Sequence, residues 1–260
     1  MMQSIQRHLA VAAGSFLIAG GAAAQTTTLG VGAEYTTGKY GASETTDTLY
    51  VPFIVKHETG KWLFKGTIPY IRNSGPANVV GAGADRVTLP GAATGRRTES
   101  GLGDIVASAF YNLRDERKTG LGVDVGAKIK LPTADEGKGL GTGETDYSLQ
   151  ADFFKPLGGA LTGFGSLGYR WYGDPPGVDL RNVPYGSIGA SYRMSEDTTI
   201  GAAYDYRPRI VSGGSALSEA TGFWSKRMSR EWKLQLYGVV GFADASPDAG
   251  IGAVLEYRMP

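Results

Sequence analysis

The sequence contains no cysteine, and that absence removes disulfides, thiolate nucleophiles and Cys-held metal sites together. Histidine is nearly missing as well: His8 and His57 are the only two. Net charge is close to zero, with 26 Lys and Arg against 25 Asp and Glu, which argues against a nucleic-acid partner. Beyond residue 24 no apolar run is long enough for a membrane-spanning helix. A membrane protein with this sequence must therefore be a closed barrel, because an open sheet leaves backbone groups unpaired in lipid. Glycine, by contrast, is abundant: the 40 glycines follow no collagen period and form no low-complexity block.

The first 24 residues stand apart. Arg7 precedes an apolar stretch, Leu9 to Gly21, of mostly small residues, and Ala22-Ala23-Ala24 suits a cleavage site. Residues 1–24 thus read as a secretory signal peptide. The run is too short and too poor in large side chains for an anchor. Residues 25–260 then form one domain.

The clearest periodicity runs from Leu121 to Phe153. Leu121, Val123, Val125, Ala127, Ile129 and Leu131 alternate with Gly122, Asp124, Gly126, Lys128 and Lys130. After a Gly-rich turn, Tyr147, Leu149, Ala151 and Phe153 alternate with Asp146, Ser148, Gln150 and Asp152. Period two makes each segment a strand with one apolar and one polar face. About ten tilted residues suffice to cross a bilayer.

The same pattern recurs along the chain and predicts twelve strands. The first is Thr28 to Tyr35, the fourth Ile105 to Leu113, the tenth Ala216 to Lys226 and the twelfth Ile251 to Tyr257. The longest irregular stretch is Arg72 to Ser100, whose Val79, Val80, Val87 and Leu89 suit an inward fold. Arg114 to Gly120 reads as a short charged turn. Short and longer connections alternate, as periplasmic turns and outer loops do in bacterial barrels. The connection after the eleventh strand is about as short as some turns.

Aromatic residues on the apolar phase fall at the strand ends. Tyr35, Tyr70, Tyr147, Trp171, Tyr206 and Phe242 mark the predicted outer ends. Trp62, Tyr111, Phe153, Tyr192, Trp224, Trp232 and Tyr257 mark the inner ends. Two such rings are the girdles of a membrane barrel; a soluble sandwich has no reason to make them. The fold class is therefore an all-β, antiparallel, up-and-down transmembrane barrel of about twelve strands. Its partners would be outer-membrane lipid and small solutes.

The polar faces carry charges of both signs, which bilayer depth tolerates only toward a wet interior. Twelve strands tilted by about 40° give a backbone radius on the order of 12 Å, so side chains leave a restricted channel or a filled lumen. One cluster can be placed from sequence. Asp104, Lys130 and Asp146 share the outer ends of three neighbouring strands, with Lys128 one step deeper. These four make either a polar constriction at the mouth or an ion-pair ladder that braces the wall, and the brace is preferred.

Enzymatic readings find little support. His57 lies near an inner strand end with no in-phase serine beside it, so no triad forms. Beyond residue 24 a metal site is poorly supported, with no Cys and one His. Asp135, Glu136 and Glu144 do not have the spacing of a calcium loop. Gly139-x-Gly141-x-Gly143 precedes no helix and is a turn, not a phosphate cradle. No cofactor is implied.

Three motifs carry a resemblance. Gly101-Leu102-Gly103-Asp104 opens the fourth strand, Lys130-x-Pro132-Thr133 ends the fifth, and Leu140-Gly141-Thr142-Gly143-x-x-Asp146 leads into the sixth. Over about Gly101 to Phe154 the chain resembles the outer-membrane barrel family named for the meta-pathway of phenol degradation. That resemblance implies passage of small aromatic or hydrophobic compounds across the outer membrane, and no catalytic set. The alternatives are a scaffold barrel with a filled lumen and, behind it, a lipid-modifying enzyme. One departure from barrels in general is the C-terminus, where Tyr257 stands three residues short of the end.

Overall fold

The structure is a computed structural model and describes residues 25–76, 78–89 and 95–260. Residues 1–24, expected from the sequence to be a signal peptide, lie outside the described residues. Fifteen strands follow one another among those described: β1 (Thr26–Gly38), β2 (Thr46–Thr59), β3 (Trp62–Gly75), β4 (Val79–Val80), β5 (Val87–Thr88), β6 (Arg97–Leu102), β7 (Ile105–Arg114), β8 (Gly122–Leu131), β9 (Asp146–Gly158), β10 (Leu161–Trp171), β11 (Val183–Arg193), β12 (Thr198–Arg207), β13 (Leu217–Arg227), β14 (Trp232–Gly241) and β15 (Ala249–Arg258). β6 and β7 both pair with β3, one after the other, and make a single wall strand. β4 and β5 pair only with each other. The remaining wall strands pair in sequence order, all antiparallel, and β1 pairs with β15 to close a twelve-strand barrel.

The interruption between β6 and β7 has a local cause. Pro69 of β3 has no N–H to donate, so the ladder cannot continue through it. Its carbonyl instead accepts from Gly103 N at 2.8 Å, and Asp104 turns inward beside the break.

Several strands run further than hydrophobic alternation predicts. The irregular stretch begins after Gly75, not at Arg72, and ends before Arg97, not at Ser100. Above the lipid both faces of a strand meet water or polar loops, so the period-two signal fades while the hydrogen-bonded ladder continues. The inner turn after β7 also holds a single helical turn, Glu116–Thr119, closed by Gly120 N donating to Glu116 O at 2.7 Å.

The outer face is apolar and bare. Ile188, Ile251 and Leu167 are 70%, 69% and 66% exposed, with Phe53, Val55 and Leu149 beside them at half or more. A soluble protein does not present such a belt; lipid covers it.

The inner face follows a different rule, in which large rings are paired with glycine. Phe110 lies opposite Gly126, Phe164 opposite Gly189, Phe223 opposite Gly201, Tyr237 opposite Gly252 and Tyr185 opposite Gly168, each in direct cross-strand register. A Cβ built on Gly126 or Gly189 would come within 2.5 Å of the facing Phe ring, and at the other three it would come closer still. The rings therefore lie flat along the wall, over residues that have no side chain. This arrangement keeps these rings out of the middle of the lumen and gives five of the 40 glycines a packing role.

Candidate functional site: the lumen and its crossbar

Asp104, Lys130 and Asp146 do come together at the outer end of the wall. Lys130 Nζ lies 2.8 Å from Asp104 Oδ2 and 3.5 Å from Asp146 Oδ2. It also donates to Thr142 Oγ1 at 2.8 Å and to the Glu144 carbonyl at 3.0 Å. Asp104 Oδ1 accepts from Ala134 N at 3.0 Å, and Asp146 Oδ1 from Gly173 N at 3.2 Å. Lys130 is only 4% exposed. The cluster ties the loops after β8 and β10 to the wall. Lys128 is not part of it.

Across the mouth runs a segment that alternation alone does not place. From Asn78 to Leu89 the chain dips into the lumen as the β4–β5 hairpin with a 3-10 turn, Gly83–Asp85, at its tip. On one side Gly81 N donates to Gly139 O, and Asn73 Nδ2 donates to Gly81 O. Ala82 packs with Ile71 and Leu140. On the far side Val87 joins Tyr172, Leu180, Val183, Ile210 and Val211 in a buried cluster. Residues 77 and 90–94 of this stretch lie outside the described residues.

The tip carries two consecutive charges of opposite sign, and the wall is polarised to receive them. Asp85 pairs with Arg170 of β10. Arg86 pairs with Glu219 of β13 at 2.5 Å, and its guanidinium lies 5.3 Å from the centre of the Tyr40 ring. Arg207 of β12 donates to the Arg86 carbonyl at 3.2 Å and to Tyr172 Oη at 3.0 Å. Tyr40 has φ +50°, a left-handed backbone at a non-glycine residue. Its carbonyl accepts from Asn78 Nδ2, which fixes that turn against the crossbar. Burial would push the Asp85 carboxyl up, but Arg170, Lys128 and Lys130 outweigh it and hold it below the usual carboxylate range.

Between crossbar and wall lies a cavity that is open at its mouths. Lys128 and Arg170 stand on one side; Glu34, Asp205 and Glu219 stand on the other. Among the described residues Lys128 has neither ion pair nor hydrogen bond; its ammonium sits 5.5 Å from the centre of the Tyr185 ring. Asp205 likewise has no partner among the described residues, whereas Glu34 accepts from Tyr237 Oη at 2.8 Å.

The aromatic set faces outward by register. Tyr35, Trp62, Tyr70, Tyr147, Trp171, Tyr192, Tyr206 and Trp232 are exposed, and Tyr111, Phe153 and Tyr257 are half-buried. Trp62 meets Tyr111 edge-on at 5.0 Å and Trp232 lies tilted against Tyr257 at 4.8 Å, each pair joining neighbouring strands at the inner end. His57 Nδ1 lies 3.0 Å from Thr27 Oγ1. Asp135 caps a turn by accepting from Lys138 N. The described residues contain no group of three or more His, Cys, Asp or Glu arranged to hold a metal ion.

Sequence reading missed Glu34, Asp85, Arg86, Glu219 and Tyr172. Glu34 and Glu219 lie on the polar phase of their strands and were within reach of the alternation argument. Asp85 and Arg86 had no periodic signal, because their partners come from strands far along the chain.

A family described as "Putative MetA-pathway of phenol degradation" matches residues 18–209. No curated protein matches the sequence. Among solved structures, a COG4313 outer-membrane channel from Pseudomonas putida F1 superposes with TM-score 0.67 at 14% identity, covering 90% of this chain and 95% of that one. The NanC porin gives TM-score 0.57 at 11% identity, covering 89% and 100%. The KdgM porin in complex with disordered oligogalacturonate gives 0.54 at 11%, covering 90% and 99%. At these identities the likeness is one of fold.

Proposed function

The chain belongs to the outer-membrane barrel family of the phenol-degradation pathway, and from that premise we propose that it is a narrow channel for small organic solutes across the outer membrane of a Gram-negative cell. The observation that carries this reading is the pairing of inward rings with glycine, which keeps bulky side chains against the wall. Its fit with the charged cavity beside the crossbar supports a restricted path, not a wide pore. The solved barrels of the same fold include an outer-membrane channel and two porins.

The solute class follows from the lining. Tyr185 and Tyr237 offer ring faces, and charges of both signs offer partners for one polar group. Small aromatic compounds with a polar substituent suit this better than large sugars. The Lys130 cluster acts in this reading as a brace, and the constriction is the crossbar tip. The two outward aromatic rings mark the membrane interfaces. In this reading the barrel is a conduit, and His57, whose Nδ1 lies 3.0 Å from Thr27 Oγ1, joins β2 to β1 near the inner end.

Planar-bilayer recording tests the reading. Purified barrel should give discrete, small conductance steps in simple salt. Silence at all voltages, with correctly folded protein in the bilayer, would favour a scaffold instead.

A further inference from the structure

Several cations stand around the crossbar tip, and its three arginines are engaged. Arg86 is held by Glu219, Arg207 by Tyr172 and the Arg86 carbonyl, and Arg170 by Asp85 and Ser148 Oγ. Lys128 is the exception, a cation inside the lumen whose three donors meet no acceptor among the described residues. Lys128 is half-buried, so its ammonium still meets the water of the cavity, and no acceptor among the described residues competes with an incoming anion for its donors.

Lys128 and Arg170 line the same cavity, and each is backed by a tyrosine ring. Lys128 lies over Tyr185 at 5.5 Å and Arg170 over Tyr172 at 5.4 Å. Asp85 is the carboxylate that Arg170 pairs with, and it belongs to the loop and not to the wall; Asp146 and Asp152 of β9 also lie within electrostatic reach of Arg170 and Lys128 respectively. Arg170 uses Nη2 on Asp85 and Nε on Ser148, so it has donors to spare. The crossbar does not depend on Asp85 alone, because Arg86, Val87 and Gly81 hold it independently.

We propose that Lys128 and Arg170, with the Tyr185 and Tyr172 rings behind them, form a binding site for the carboxylate of a small aromatic acid, and that Asp85 occupies it as a tethered stand-in. A solute carboxylate exchanges for the Asp85 carboxylate on Arg170 and gains Lys128 as a second partner. Its ring then lies toward the apolar part of the cavity formed by Leu217, Tyr237 and Val239. No covalent bond changes. The exchange is one ion pair for another, and the solute's form is favoured by the extra cation. Aromatic acids are thus bound during passage, whereas neutral arenes only pass.

The site deepens the channel reading and rests on it for its purpose, but its test does not require transport. Calorimetric titration of detergent-solubilised barrel with benzoate reads binding alone, and conductance in simple salt reads the channel separately. Asp85→Asn removes the competing charge and should tighten benzoate by about tenfold or more. Lys128→Met should weaken it by about tenfold, and the fold should be untouched because Lys128 braces nothing. Acetate, which has the carboxylate without the ring, should bind far more weakly than benzoate. Benzoate binding that is unchanged in both variants would overturn the proposal even where conductance is normal. Equal affinity for acetate and benzoate would overturn its aromatic part.

Discussion

Lys128 and Lys130 sit two residues apart on one strand, point into one lumen and look alike in the sequence. Lys130 has two carboxylates, a hydroxyl and a carbonyl around it and is sealed from water. Lys128 has a tyrosine ring and an open cavity. The difference is made by the loops: the stretch after β8 folds back over Lys130 with Thr142 and Glu144, whereas no loop acceptor among the described residues comes within hydrogen-bond distance of Lys128. One lysine is structure and the other is available for chemistry, and only the neighbours from distant parts of the chain decide which is which.

The largest expected effect comes from breaking the closed side. Lys130→Met leaves Asp104 and Asp146 buried beside an apolar chain. Removing one partner from a buried ion-pair network costs about 3–5 kcal/mol, because the remaining charges have lost their compensation. Urea unfolding of the folded barrel, followed by its tryptophan emission, should show a loss of that order. A loss below about 1 kcal/mol, the range of an exposed pair, would mean that water reaches the cluster and that the contrast with Lys128 is false.

The open side depends on the glycines, and the second prediction tests it. Gly189→Ala places a Cβ 2.5 Å from Phe164 Cζ and 2.5 Å from the Ala202 carbonyl, an atom that cannot easily move. The Phe164 ring must swing off the wall, and overpacking of this kind costs about 1–3 kcal/mol. Single-channel conductance should fall together with stability, since the displaced ring enters the path. Stability loss without any change in conductance would remove the claim that these rings define the bore.

How much of this was written in the sequence depends on distance along the chain. Strand count, closure and the inward phase of Asp104, Lys128, Lys130 and Asp146 are period-two properties, and neighbouring strands are neighbours in sequence. The Lys130 cluster was legible for that reason. Asp85 and Arg86 were not, because their partners Arg170 and Glu219 lie far along the chain and become neighbours only when the barrel closes. The ring-over-glycine pairs are an intermediate case. Phe164 and Gly189 are both visible on the polar phase, but their facing requires the register, and register is fixed by turn lengths that alternation leaves loose. The short helix in the turn after β7 and the polar extensions of β3 and β6 escaped because they carry no amphipathic signal.

A third test sharpens the same contrast from the other lysine. Lys128→Met removes a charge with no hydrogen-bond or ion-pair partner among the described residues, and the methionine chain can pack toward the Tyr185 ring that the ammonium now faces. The unfolding midpoint should shift by less than about 0.5 kcal/mol, the range of substitutions that break no named interaction. A loss comparable to that of Lys130→Met would show that Lys128 is a second brace and would close the site.

The smallest effect is a matter of pH, and its sign can be worked out. The Asp85 carboxylate faces Arg170 from β10 and Lys128 and Lys130 from β8, and these hold its pKa below the usual carboxylate range while the tip is docked. An undocked tip, in water, would titrate in the ordinary range. A group whose pKa is lower in the docked state contributes docking stability that is fully present above the undocked pKa and is lost as pH falls through the docked one. Conductance should therefore stay level from neutral pH down to about pH 5, and rise only below the ordinary carboxylate range as the tip loosens. Arg86 and its pair with Glu219 limit the size of that rise. The Asp85→Asn variant should show none of the acid change attributable to this group, and its conductance at neutral pH should match the level the native barrel reaches in acid. A crossbar that instead released near pH 6 would place its control on a different group, and the Asp85–Arg170 contact would then be incidental to how the mouth is held.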